Sequence, residues 1–246
     1  MANDVLCGFH AISGALSRHP DQIDRILIDR ERRDRRVQDL LDTAARHGVG
    51  IEQCSRAAID RAADGAKHQG VVAYRRRSAA LEFNEVVAEL PNPALVLVLD
   101  GIEDPRNLGA CLRSAEGAGV DAVILPRDRS SAVTATVRRV AAGAAESLNI
   151  IAVPNIGRAI AALQQAGLWV VGAAMDAPQP YYAADLNESV AVVLGAEARG
   201  LRALTREKCD FLVSIPMAGA VESLNVSVAA GILLFEAVRQ RGISGS

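Results

Sequence analysis

At 246 residues and 25.9 kDa the chain is long enough for one large domain or two small ones, and 50% apolar with 23% charged residues excludes a disordered, collagen-like or coiled-coil polypeptide. An aromatic share of 3% argues against a platform on which single-stranded bases stack. The net charge of −2 is unevenly divided: residues 1–80 carry 14 Arg or Lys against 11 Asp or Glu, a net +3, and the remainder carries −5.

From Gly8 to Arg75 short elements alternate. Helical spacing covers His10 to Arg18, Ile23 to Ile28 reads as a strand, and Asp34 to His47 carries Val37, Leu40, Leu41, Ala44 and Ala45 on one helical face before Gly48. A strand at Ile51 to Cys54, a helix from Ala57 to Ala63 and a strand at Val71 to Tyr74 complete a small α/β domain, residues 1–75. Its run of mixed charge from Asp29 to Arg36 is read as a solvated turn. Lys67 and Lys208 are the only lysines. Arginine forks suit phosphate oxygens, although a solvated helix face and arginine-favouring codons give the same count.

Arg75-Arg-Arg-Ser78, a helical stretch reaching Leu90 and the breaker Pro91-Asn-Pro93 mark a linker over residues 76–92. The second domain, 93–246, opens on Ala94 to Leu99, an uninterrupted apolar run suited to a strand buried on both faces of a parallel sheet. Strands follow at Ala122 to Leu125, Ile150 to Val153, Leu168 to Gly172, Val190 to Leu194 and Phe211 to Ile215. Helices are expected from Ala132 to Ala145, Ile156 to Ala166 and Asn225 to Gln240. The alternation predicts a layered α/β fold, with ligands beyond the carboxyl ends of the strands.

Cys7, Cys54, Cys111 and Cys209 form no CxxC pair, and no histidine stands at metal-ligand spacing, so neither a metal nor a disulfide framework is expected. The N-terminus lacks a basic-then-apolar leader and no apolar stretch reaches the roughly 18 residues that span a bilayer. A cytoplasmic location without membrane contact is the expectation. GxGxxG after the Leu95 strand, GxxxxGK[ST] and GxSxG are all missing, which argues against dinucleotide, P-loop and elbow-serine chemistry. His10, His19, His47 and His68 all precede the second domain, so its proton chemistry does not rest on its own histidine.

Three junctions are rich in polar residues and glycine. In Asp100 to Gly119, Asn107 stands where an N-cap would fall, and Arg113, counted from it to the same helical side, projects from a mostly apolar helix. In Val193 to Leu201, Gly195 and Gly200 permit close backbone approach and present Glu197 between them, unless the segment is simply a capped turn. In Ile215 to Ala230, Ser223, Asn225 and Ser227 lie at the mouth of an apolar helix, where free N–H groups favour polar or anionic ligand atoms.

Asn107 through Arg113-Ser114, Gly195-Ala-Glu-Ala-Arg-Gly-Leu201 and Ile215-Pro-Met through Ser223-Leu-Asn-Val-Ser-Val-Ala229 resemble the three motifs of the SpoU-type RNA ribose 2′-O-methyltransferases of the SPOUT superfamily. Gly8-Phe-His-Ala-Ile, His68-Gln-Gly-Val-Val and Leu233 to Arg239 extend the likeness to bacterial members that methylate a guanosine ribose in the peptidyl-transferase P-site loop of 23S rRNA. One departure is Ala196, where many members have serine. The resemblance implies an L30e-like RNA-binding domain and a catalytic domain with a deep trefoil knot that forms a homodimer. It implies S-adenosylmethionine as methyl donor, held through the backbone of Gly195, Ile215 and Leu224, and unmodified, pre-ribosomal 23S rRNA as partner.

The same resemblance makes Arg113 the group that meets the 2′-hydroxyl or its phosphate. Arginine stays protonated, so the expected role is electrostatic stabilisation of the developing alkoxide, with Glu197 as base the alternative. Asn107 is assigned to positioning Arg113 or the ribose, Glu197 to orienting a catalytic or RNA-binding group, and Ser223 and Asn225 to the pocket around donor and target nucleotide. The rival readings are a tRNA ribose methyltransferase of the same superfamily and a non-catalytic rRNA-binding assembly factor.

Overall fold

Residues 4–18, 20–75, 83–128, 130–197 and 199–242 are described in a computed structural model. His19, the 76–82 part of the expected linker and Ala198 of the second motif lie outside the described residues. The chain divides into two units, Met1–Ala80 with Ala142–Ser147, and Leu81–Ala141 with Leu148–Ser246.

The first unit runs β1 (Asp4–Cys7), α1 (Phe9–Arg18), β2 (Ile23–Asp29), α2 (Arg35–Arg46), β3 (Gly50–Cys54), α3 (Arg56–Ala63) and β4 (Val71–Arg75). Its sheet has the order β1-β4-β2-β3, with β4 antiparallel to both neighbours and β2 parallel to β3. Alternation sends Ile26 and Ile28 to one face against Phe9, Ile12, Leu16 and Leu40 of α1 and α2, and Leu27 to the other against Ile59 of α3. Asp34 caps α2 by accepting from the Val37 N–H at 3.3 Å.

The second unit runs α4 (Phe83–Ala88), β5 (Leu95–Asp100), α5 (Pro105–Gly117), β6 (Ala122–Pro126), α6 (Ala135–Ala141), β7 (Asn149–Val153), α8 (Ile156–Gln165), β8 (Trp169–Ala173), β9 (Gln179–Pro180), β10 (Val190–Gly195), α9 (Ala203–Glu207), β11 (Phe211–Ser214) and α10 (Val226–Gln240); the four-residue α7 (Ala144–Ser147) groups with the first unit. All seven strands are parallel, in the order β7-β6-β5-β10-β8-β11-β9. Every residue of β5 is buried, as its unbroken apolar run requires. Val96 and Val98 face Ile156, Ile160 and Leu163 of α8, and Phe83, Val87 and Leu90, from the segment expected as linker, pack on the same core.

The helix expected from Ala132 to Ala145 is broken. Ala142 and Gly143 adopt positive φ of 52° and 103°, which ends α6 and starts α7. On α5, a Cβ at Gly109 would lie 2.7 Å from Val140 Cβ, so glycine lets α5 and α6 close on each other. Because β10 is inserted between β5 and β8, the loops that follow β5, β8, β10 and β11 emerge side by side at the carboxyl end of the sheet.

Candidate active site

Helix α5 starts earlier than the sequence suggested. Asp104, not Asn107, is the N-cap: its Oδ1 accepts from the Arg106 N–H at 2.8 Å, with Pro105 in the first helical position. Asn107 therefore sits inside the first turn with its side chain free for other work. Its Nδ2 donates to Glu197 Oε1 at 2.5 Å, and its Oδ1 accepts from Asn225 Nδ2 at 3.0 Å. Asn225 in turn caps α10, its Oδ1 accepting from the Ser227 N–H at 2.9 Å and from Ser227 Oγ at 2.6 Å. One hydrogen-bond chain, Glu197–Asn107–Asn225–Ser227, thus joins residues from all three junctions.

The turn that carries Glu197 is closed by a bridge between Ala196 and Gly200, whose N–H donates to the Ala196 carbonyl at 2.8 Å. A Cβ at Gly195 would lie 2.0 Å from the Gly200 carbonyl carbon, so Gly195 demands glycine, and Gly200 with φ +61° favours it. Beside this turn opens a cavity of about 300 Å³. Its apolar wall includes Leu201, Ile215, Met217 and Leu224, and its charged groups are Asp176, Glu197, Arg199, Arg206 and Glu222. Arg206 forks onto Asp176 at 2.7 and 2.9 Å, which holds the Asp176 carboxyl below its ordinary range.

Of the residues singled out from sequence, Gly195, Glu197, Ile215, Ser223 and Leu224 line the cavity, and Asn107 and Asn225 reach it through Glu197. Arg113 does not line it. Six residues advance an α-helix by about 1.7 turns, so Asn107 and Arg113 leave α5 in different directions. Arg113 is exposed and makes no hydrogen bond or ion pair among the described residues, while Asn107 bonds to Glu197 and Asn225 instead.

A cluster behind the turn was missed. Asp100 closes β5 with its side chain fully buried, and accepts from Arg202 Nε at 3.0 Å, from Arg202 Nη2 and from Thr205 Oγ1 at 2.6 Å. A carboxylate ending a wholly buried strand has to be paired, and that was the available signal. Burial, helped by the Glu197 charge, pushes the Cys111 thiol on the inner face of α5 up to about 12, which leaves it inert as a nucleophile.

In the first unit, β1, β2 and β3 end and β4 begins at one end of the sheet, as the pairings Cys7 with Val72, Ile28 with Val71 and Asp29 with Cys54 show. Arg32 lies over the Phe9 ring, 4.8 Å from its centroid, and donates to the Gln69 carbonyl. Gly70 N–H donates to His68 Nδ1 at 3.1 Å, so His68 presents Nε2–H to Asp60 Oδ1 at 2.8 Å. Asp29 is buried and faces Arg56, Asp34 caps α2 and pairs with Arg32, and Arg30, Arg33, Arg35 and Arg36 stand exposed without an ion pair among the described residues.

Residues 94–235 match the SpoU rRNA Methylase family, and residues 5–79 match the family described as RNA 2′-O ribose methyltransferase substrate binding. The chain belongs to the SpoU rRNA methylase family. It is similar to the 23S rRNA (guanosine-2′-O-)-methyltransferase RlmB of Ralstonia nicotianae, 50% identical over 97% of this chain and 96% of that one, and to RlmB of Escherichia coli, 46% identical over 97% and 99%. Among solved structures, the SpoU methyltransferase AviRb from Streptomyces viridochromogenes in complex with the cofactor AdoMet superposes with a TM-score of 0.75 at 26% identity, covering 97% of this chain and 90% of that one. The SpoU match contains all three polar junctions, and the substrate-binding match contains the arginine-rich strand ends.

Proposed function

We propose that the chain transfers a methyl group from S-adenosylmethionine to the 2′-hydroxyl of a guanosine in the peptidyl-transferase P-site loop of 23S rRNA. The observation that carries this reading is the Glu197–Asn107–Asn225–Ser227 chain at the mouth of a cavity bounded by Gly195, Ile215 and Leu224. Similarity to RlmB over nearly the whole chain supports the 23S rRNA substrate.

The donor fits the residues present. A volume of about 300 Å³ stands at the lower end of the about 300–1,000 Å³ typical of ligand pockets. With Asp176 neutralised by Arg206, the cavity keeps two carboxylates, Glu197 and Glu222, against one guanidinium, Arg199, a balance that favours a cationic ligand. When bound, the donor supplies an electrophilic sulfonium methyl; the C–S bond breaks as the C–O bond to the ribose forms, and the hydroxyl proton passes to phosphate or water. The backbone at Gly195, Ile215 and Leu224 holds the adenosine part and excludes water. Arg113, without a hydrogen-bond or ion-pair partner among the described residues, stabilises the developing alkoxide and fixes the adjacent phosphate. Asn107 and Asn225 hold Glu197 in place, and Ser223 contacts the donor's methionyl part or the target nucleotide.

The division of labour follows the charge. Residues 1–75, an L30e-like RNA-binding domain, give affinity and site choice through unpaired arginines, residues 76–92 link, and residues 93–246 hold the donor. Insertion of β10 between two earlier strands supports a deep trefoil knot in the catalytic domain. Exposed Val228 and Phe235, two turns apart on one side of α10, support a homodimer formed through that domain.

Incubation with tritium-labelled donor and a panel of unmodified 23S rRNA, modified 23S rRNA and tRNA tests the reading. Label confined to one guanosine ribose of unmodified 23S rRNA is expected. Label on tRNA would favour the tRNA enzyme, and donor-free RNA binding without transfer would favour an assembly factor.

A further inference from the structure

The turn 196–202 is fastened at two points, to the end of β5 and to α5. At its tip, Glu197 accepts from Asn107 on α5. At its base, the Arg202 guanidinium forks onto Asp100, and Thr205 on α9 donates to the same carboxylate. Asp100 stands in register with Gly195 in the β5–β10 pairing, so the fork lies directly below the turn it anchors. Within the turn, Ala196 and Gly200 form a bridge, and Gly195 leaves no room for a Cβ.

Asp100 has no part in the reaction itself. Its side chain is 0% exposed and both oxygens are occupied, Oδ1 by Arg202 and Oδ2 by Arg202 and Thr205. Arg202 does not border the cavity, although its neighbours Gly200 and Leu201 do. Although the Arg202 side chain is 47% exposed, the carboxylate it forks onto is fully enclosed, so Asp100 depends on Arg202 and Thr205 rather than on water for its partners.

We propose that the Arg202–Asp100 fork, buttressed by Thr205, is a positioning device that sets the register of Glu197 against Asn107, so that Arg202 acts on methyl transfer through Glu197. The proposal rests on the reading of Glu197 as part of the active site. Arg202→Lys keeps the cation but loses the planar two-bond fork, and is the variant of choice.

The test is a cycle of Arg202→Lys, Glu197→Gln and the double variant, read as single-turnover transfer to 23S rRNA at saturating donor, with active sites counted by donor titration. Arg202→Lys is expected to slow transfer about tenfold in the native background and less than about twofold in the Glu197→Gln background, because contacts in one network do not add. An Arg202→Lys rate equal to native, or two effects that multiply while Glu197→Gln is itself slow, overturns the proposal alone. A Glu197→Gln variant at full rate overturns both the assignment of Glu197 and this proposal, so the two failures are told apart. Should Arg202→Lys not fold, Thr205→Val, which removes one of the three donors to Asp100, takes its place in the same cycle with the same outcomes.

Discussion

The two sheets end in loops built on opposite electrostatic plans. In the first unit Asp29 is buried opposite Arg56 and Asp34 caps α2, while Arg30, Arg33, Arg35 and Arg36 stand exposed without an ion pair among the described residues. In the second, Arg202 is paired with Asp100 and Arg206 with Asp176, and Glu197 and Glu222 outnumber the remaining Arg199 around the cavity. Free guanidinium groups are suited to phosphates, and spare carboxylates beside a small cavity to a cation. The difference shows how one chain of net charge −2 can present separate surfaces suited to a polyanion and to a cationic donor.

Arg113 is an exposed cation of the second unit with no hydrogen bond or ion pair among the described residues, and altering it gives the largest expected effect. Arg113→Ala should lower single-turnover transfer by about 10²–10³-fold, the usual cost of one preorganised donor to an oxyanion. Donor affinity measured by calorimetry should be unchanged, because Arg113 does not line the cavity. A loss of donor binding instead would place Arg113 on the donor's side of the comparison.

The unpaired arginines should give a smaller and different signature. Arg33→Gln with Arg36→Gln should raise KM for rRNA several-fold at physiological salt while leaving kcat intact. The slope of log affinity against log salt should fall by about 1–2, one unit for each phosphate contact removed. An altered kcat, or an unchanged slope, would mean that these cations are only a solvated turn.

The smallest effect concerns the end of α10. Arg239 and then Gln240 hold the buried Glu236 carboxyl below its ordinary value of 4.5, by hydrogen bonds of 2.7 to 2.8 Å. A depressed carboxyl contributes stability that is present above 4.5 and is lost as the pH falls through the folded value. Thermal melts from pH 6 down to about pH 3 should therefore cost the native chain less than about 1 kcal/mol more than Glu236→Gln, since Arg239 is largely exposed. Parallel pH profiles for the two chains would contradict this.

Much of the fold was legible because burial on both faces leaves a plain mark. The runs at Leu95 to Leu99 and Val190 to Leu194 read directly as central parallel strands. The break at Ala142 and Gly143 was not legible, since alanine is a good helix former and its positive φ is imposed by tertiary structure. Asn107 looked like an N-cap because the stronger signal, Asp104-Pro105, was passed over. The motif residues could be named from sequence. What could not be read was their order along one hydrogen-bond chain, or the pairing of buried Asp100 with Arg202 behind it, because the partners lie about a hundred residues apart and only β10's insertion beside β5 brings them together.

The claim on which the account turns is that the Gly195 turn shapes the donor cavity, and calorimetric titration of the native chain and of Gly195→Ala with S-adenosylmethionine tests it most directly. The native chain should bind saturably, and Gly195→Ala, whose added methyl would lie 2.0 Å from the Gly200 backbone, should lose at least about tenfold in affinity with its fold intact by circular dichroism. Equal affinity in the two chains, or no saturable binding by the native one, would contradict it.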